Sequence, residues 1–125
     1  MATVYFSTAR TLRWDYHHSV PGKLEALLGK MNFSERFTRD EWVAVKTHWG
    51  SHGAFRIIPP VMIRKIVEAV KQTGAKPFVT DTVRIMGLDY LDVANQNGLN
   101  HLSCGAPVVL ADGILADHNQ GRCAV

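Results

Sequence analysis

The sequence predicts a single three-layer α/β domain, with a mainly parallel sheet of four to five strands and helices on both faces. Short β-branched runs alternate along the chain with amphipathic helical segments, and the links between them are short. This alternation favours parallel strands with right-handed crossovers. The length of 125 residues suits one domain, and 46% hydrophobic with 20% charged residues is typical of a globular chain.

The first half of the chain provides two strands and one helix. Alternating side chains predict a first strand over 3–7. A helix is predicted from Ser19, because Pro21 suits a first helical turn and four apolar residues follow at helical spacing. These four residues are Leu24, Leu27, Leu28 and Met31. A second strand is predicted over 42–48 and ends at a turn over 50–53.

The second half repeats the pattern. The clearest helix is predicted from Pro60 to the glycine at 74, with an apolar stripe at helical spacing. The stripe consists of Ile63, Ile66, Val67 and Val70. A third strand is predicted over 76–80, a third helix over 88–97 and a fourth strand over 106–111. Either one more strand or a segment ordered by a neighbouring chain is expected after residue 112.

Composition excludes several classes of protein. The net charge of +3 is small and scattered, so no nucleic-acid partner is expected. No apolar run approaches the ~20 residues of a membrane span, and the N-terminus lacks the pattern of a signal peptide. The two cysteines, Cys104 and Cys123, form no C-x-x-C pair and are expected to be reduced, which favours the cytoplasm.

Polar side chains follow three of the predicted strands where each strand ends. Lys46 and His48 close the second strand, Asp81 and Thr82 close the third, and Asp112 closes the fourth. Because the carboxyl ends of parallel strands meet at one edge, where open α/β sheets bind ligands, these side chains are expected to line one crevice.

The strand-end residues also have simpler interpretations. A lysine in an apolar strand is costly unless its ammonium reaches an anion or water. Lys46 therefore either extends into solvent or pairs with a group such as Asp81 or a bound anion. Asp81 either caps the next helix or binds a ligand, and Asp112 before Gly113 favours a turn role.

The loop over 48–56 is the second candidate region. Gly50 permits close approach of a ligand, Arg56 adds positive charge, and the helix start behind the loop offers N–H groups to an anion. The loop is neither a P-loop nor a G-x-G-x-x-G turn, so no nucleotide is specified. No nucleophile turn such as G-x-S-x-G is present, so no catalytic residue is assigned.

A divalent metal is an alternative ligand. His48, His52, Asp81 and Asp112 are of the types that bind zinc or iron. The loop glycines break any helix and the Glu of H-E-x-x-H is absent, which excludes a zincin motif. Loop histidines more commonly make ordinary hydrogen bonds.

Four segments together carry a family resemblance: 43–50 (VAVKTHWG), 58–60 (IPP), 74–82 (GAKPFVTDT) and 105–113 (GAPVVLADG). They resemble the domain-of-unknown-function family described as uncharacterised iron–sulfur centre proteins, whose members carry K-x-H-x-G, G-x-K-P-F-x-T-D-T and G-A-P-x-x-x-A-D-G in this order. The resemblance places on motif positions Lys46, His48, Asp81, Thr82, Asp112 and Gly113.

The chain also departs from that family. The segment over 82–87 is shortened, and Asp89-Tyr90 stand where members carry a histidine. Members are longer and often carry a ferredoxin-like module, so the chain resembles a truncated or half-length member. Two cysteines are too few for a four-iron cluster, so a cluster is expected on a partner and not on this chain alone.

Two functional hypotheses follow. In the first, the domain binds a small anionic ligand or a metal at the carboxyl ends of its strands, with a redox link implied by the resemblance. In the second, the chain is a non-catalytic assembly module that has lost the family's site. An N-terminal half would leave a sheet edge or an apolar face uncovered, so a homo-oligomer or a cluster-bearing partner is expected.

Overall fold

A parallel sheet of three strands lies at the centre of the fold. The computed structural model of the chain describes residues 2–83 and 89–112, together with the backbone of 116–117 and 122–123. The strands occur in the order β1 (Trp42–Lys46), β2 (Lys76–Asp81) and β3 (Val108–Leu110). Both pairings are parallel, with Val79 of β2 opposite Val45 of β1 and Val108 of β3. The parallel α/β prediction is thereby confirmed.

One helix precedes the sheet along the chain, and three lie in the connections between its strands. They are α1 (Val20–Gly29), α2 (Pro60–Lys71), α3 (Tyr90–Gln96) and α4 (His101–Cys104), with single 3₁₀ turns at Tyr16–His18 and Phe33–Glu35. Ser19 caps α1 by accepting the N–H of Gly22, and Asp89 caps α3 through two backbone N–H groups. A separate antiparallel pair is formed by β4 (Ala116–Asp117) and β5 (Arg122–Cys123). No helix of the described residues has the length and apolar character to cross a membrane.

The core lies on one face of the sheet. Val45 and Val79 point towards α2, whose Ile63 and Val67 are buried against them. The predicted apolar stripe of α2 is confirmed, because its period matches the side of the helix that meets the sheet. Helix α1 packs on α2 and not directly on the sheet.

The other face of the sheet is open in the described part of the chain. The alternation of β1 and β2 places Trp42, Ala44 and Phe78 on this face, and Trp42 is 67% exposed. The predicted count of four to five strands and the predicted third layer are therefore not confirmed. Val109 of β3 is also exposed on this face.

The observed secondary structure differs from the predicted one in three details. The strand predicted over 3–7 is wrong, because these residues pair with no strand in the described part and Phe6 is 85% exposed. Met31 lies beyond the end of α1. Helix α4 was not predicted, since four residues are too few to show a helical period. The predicted helix start at 88, Gly113 and most of the tail after 112 lie outside the described residues.

Two valines of α2 provide a test of this core. Val67→Ala is expected to lower the free energy of unfolding by about 2 kcal/mol, because Val67 is fully buried and its removal leaves a void. Val61→Ala, on the exposed side of the same helix, is the matched control and is expected to change it by less than about 0.5 kcal/mol. Urea denaturation measures both, and equal losses would contradict this placement of α2.

Candidate ligand site at the carboxyl edge of the sheet

A buried carboxylate organises the carboxyl edge. Asp81 ends β2, and its side chain is 4% exposed. Its Oδ1 accepts the N–H of Thr82 at 2.9 Å, and its Oδ2 accepts the N–H of Trp49 at 3.0 Å. Through these two bonds Asp81 ties the end of β2 to the loop that leaves β1.

Two basic side chains lie against the same carboxylate. Lys46 Nζ is 3.1 Å from Asp81 Oδ1, and His48 Nδ1 is 3.5 Å from Asp81 Oδ2. The Lys46 side chain remains 63% exposed, so its ammonium is at the surface while its partner is buried. Of the two interpretations of Lys46, pairing with Asp81 is therefore the one that the structure shows.

The ionised form of Asp81 is favoured. Burial alone would raise the pKa of this carboxyl, but the N–H of Trp49, the ammonium of Lys46 and the N–H of Thr82 together outweigh burial and lower the pKa below its ordinary value. The carboxylate therefore holds a fixed negative charge beneath the exposed side chains of Lys46 and His48.

Helix α3 holds the loop after β1 from the other side. Trp49 is fully buried and stacks on Tyr90, with ring centroids 5.8 Å apart. The Tyr90 hydroxyl donates to the carbonyl of Gly50 at 2.9 Å, and Asn97 Nδ2 donates to the carbonyls of Trp49 and Ser51, each at 2.8 Å. The start of the loop is thus fixed between β2 and α3.

Gly50 is required at its position for two reasons. Its φ of +79° lies in the left-handed region, and a Cβ there would lie 2.5 Å from the Cβ of Ala54. The sequence predicted that glycine permits close approach to a ligand, and the structure shows close approach to the chain itself.

An open cavity of about 740 Å³ lies over this loop. Its lining runs from His48 to Ile57 without Trp49, and it includes Gly50 and Arg56. Arg56 is exposed, and its guanidinium contacts no acceptor or carboxylate within the described ranges. The cavity therefore presents a cation that the rest of the described structure does not neutralise.

The two outer candidates have partners elsewhere. His52 Nδ1 is 3.0 Å from Gln96 Oε1 of α3, and Asp112 accepts the N–H of Val83. The bond from Val83 ties the end of β2 to the end of β3, whereas the turn role predicted for Asp112 involves Gly113, which lies outside the described residues. Among residues 2–83 and 89–112, no three His, Cys, Asp or Glu side chains lie together as metal ligands.

Sequence reasoning found the strand-end residues but missed those that hold the loop. Tyr90 and Asn97 carried no motif, since a side chain that bonds a distant backbone carbonyl has no characteristic spacing. The described edge also contains three buried polar atoms without a hydrogen-bond partner, which no sequence pattern indicated. They are Thr47 Oγ1, Trp49 Nε1 and Thr80 Oγ1.

Comparison with known proteins gives one match. A family model described as a domain of unknown function (DUF362) matches residues 43–120, which is more than half of the chain. The matched range contains β1 from its second residue, all of β2 and β3, and therefore the whole carboxyl edge described above. No curated protein and no solved structure shows a significant match.

The charge of Asp81 predicts how stability depends on pH. Because the folded pKa lies below the unfolded value of about 3.9, ionisation stabilises the fold above about pH 4, and this contribution is lost as the pH falls through the folded pKa. Asp81→Asn removes the titration. The variant is expected to be less stable at pH 7 by on the order of 2 kcal/mol, with a smaller difference at pH 3.

Urea denaturation at the two pH values measures this difference. Asp40→Asn is the matched control, because Asp40 is exposed and pairs with Lys76 at the protein surface, 2.8 Å away. Exposed ion pairs contribute about 0–1 kcal/mol, so a small effect is expected there. A loss in Asp81→Asn that is the same at pH 7 and pH 3 would contradict the assignment.

Proposed function

This chain belongs to the DUF362 family of domains of unknown function, and we propose that it binds a small anionic ligand at the carboxyl edge of its sheet. The observation that carries the proposal is an exposed arginine side chain beside this edge whose charge no carboxylate of the described residues neutralises. One buried carboxylate, Asp81, lies beneath Lys46 and His48, while Arg56 in the adjoining cavity has no partner in the described part of the chain.

The positions of the charges favour an anion over a cation. Lys46 already lies 3.1 Å from one oxygen of Asp81, so a metal at that carboxylate would be repelled by the ammonium. An incoming anion instead meets the exposed ammonium of Lys46 and the guanidinium of Arg56, and charge-assisted hydrogen bonds to such groups are the stronger kind.

A divalent metal remains a second occupant of the same edge in our proposal. His48 and Asp81 supply an imidazole and a carboxylate within 3.5 Å of each other, which are the ligand types of zinc and iron. His52 and Asp112 are the other candidate ligands, and each would have to leave its present hydrogen bond.

A redox role would require a second chain. Cys104 is fully buried in the core between α4 and the sheet, so its thiol is not available to a cluster at the surface. If the iron–sulfur resemblance holds for this chain, we propose that the cluster is carried by a partner and that both act in the reducing cytoplasm.

Assembly is the alternative function, and the open sheet face favours it. Trp42 packs edge-on against Phe78 at 6.3 Å between ring centroids, and both side chains lie on the face that no helix of the described chain covers. Apolar surface of this kind is stabilised when a partner removes it from water. We propose a second copy of the chain as that partner.

Calorimetric titration of the whole chain tests the anion proposal. Inorganic phosphate, malonate and zinc chloride are the probes, and we expect an anion to bind. Arg56→Gln should weaken that binding at least about tenfold, because it removes a charge-assisted contact. Arg39→Gln is the matched control, since Arg39 is an exposed arginine just before β1, at the opposite edge, and should bind as the parent does.

Other outcomes contradict the proposal. Binding of zinc alone, lost in His48→Ala, would establish the metal alternative. No binding of any probe would leave the edge without a ligand and favour assembly.

Sedimentation of the chain at several concentrations tests the assembly proposal. The parent is expected to form a dimer, and Trp42→Ser is expected to weaken dimerisation at least about tenfold by removing apolar contact area. Leu102→Ser, at an exposed apolar residue of α4, is the matched control and should not change it. A monomer at all concentrations would overturn the proposal.

A further inference from the structure

The loop after β1 has an ordered backbone whose carbonyl groups all face one way. We infer that the backbone N–H groups of Gly50, Ser51 and His52 form a seat for a phosphate-type oxyanion, either free phosphate or a phosphate ester. This inference rests on the proposed anion site and names its ligand class.

The carbonyls of three successive residues are bound by α3. Those of Trp49 and Ser51 accept from the side-chain amide of Asn97, and that of Gly50 accepts from the hydroxyl of Tyr90. Three consecutive peptide oxygens are therefore directed towards the same helix.

The N–H groups must then point the other way. In a trans peptide the N–H of each residue is antiparallel to the preceding carbonyl, and the chain has no cis peptide bond in its described part. The N–H groups of Gly50, Ser51 and His52 are therefore directed away from α3. None of the three donates to an acceptor within the described ranges. Further along the loop, the N–H of Ala54 donates to the carbonyl of Ser51 and closes a turn.

The cavity lies on that side. All three residues line the space of about 740 Å³, and no residue of α3 does. Gly50 has a φ of +79°, and a left-handed residue of this kind is a component of the concave anion sites that successive backbone N–H groups form. The guanidinium of Arg56 lines the same space.

The number of donors selects the ligand class. A phosphate group presents three terminal oxygens in a tetrahedral arrangement, which suits three N–H donors with a guanidinium on the outside. A carboxylate has two oxygens in one plane and a single negative charge, so it meets three converging N–H donors and a guanidinium less well than a tetrahedral phosphate does. A phosphate or phosphate ester is thus favoured over a carboxylic acid.

Amide chemical shifts of the ¹⁵N-labelled whole chain test the seat directly. Inorganic phosphate added at constant pH and ionic strength should move the amide signals of Gly50, Ser51 and His52 to lower field, as expected for new hydrogen bonds. The amide signals of Gly29 and Gly74 are internal controls and should not move. Acetate should bind at least about tenfold more weakly than phosphate.

Two single substitutions, at Asn97 just after α3 and at Asn95 within it, test whether the bound carbonyls orient the N–H groups of the loop. Asn97→Ala releases two carbonyls of the loop, so phosphate affinity should fall about tenfold as the peptide planes lose their orientation. Asn95→Ala changes an exposed asparagine of the same helix and should leave affinity unchanged. The shift test in the parent chain stays decisive if Asn97→Ala does not fold.

The outcomes separate this inference from the proposed function. Phosphate binding that perturbs Lys46 and His48 but leaves the loop amides in place would overturn the backbone seat while the anion site stands. If acetate binds as tightly as phosphate, the assignment of a phosphate-type ligand is overturned, while the backbone seat stands. No response to any anion would overturn both.

Discussion

The buried carboxylate of Asp81 is the constraint on which the carboxyl edge depends. An ionised group away from water costs several kcal/mol unless it is paired and hydrogen-bonded, so the chain must bring donors to it. Two donors are backbone N–H groups, from Trp49 and Thr82, and one is the ammonium of Lys46. Because Trp49 lies beyond the end of β1, satisfying the carboxylate also fixes where the following loop begins.

From that starting point the loop is held twice. The N–H of Trp49 is bound to Asp81 of β2, and the carbonyls of residues 49–51 are bound to Tyr90 of α3 and to Asn97, which follows that helix. The hydrogen bonds that give the loop its shape are made to β2 and to the region of α3, and not to residues that line the cavity. The side chain of Arg56 lines the cavity, and in our inference the N–H groups of Gly50, Ser51 and His52 face it, so binding a ligand requires little reordering of the backbone.

Most of the fold was predictable, because hydrophobic period and strand-end position are local signals. The stripe of α2 and the pairing of Lys46 with Asp81 are examples. The strand predicted over 3–7 failed because alternation shows that a segment suits a sheet, not that a neighbour is present to pair with it. The contacts of Asn97 were beyond prediction, since they join residues 46 and 48 positions apart through backbone oxygens, which every residue carries.

The open sheet face and the carboxyl edge meet at Lys46. The alternation of β1 places this side chain on the same face as Trp42 and Ala44, yet its ammonium reaches around the strand end to Asp81. A second copy seated on that face would shield an ammonium that is now exposed, and its attraction to Asp81 would grow as water is removed. The lysine would then be less available to an anion in the cavity. Assembly and anion binding, if both occur, are therefore coupled through this one side chain, and by linkage the anion would weaken assembly to the same degree.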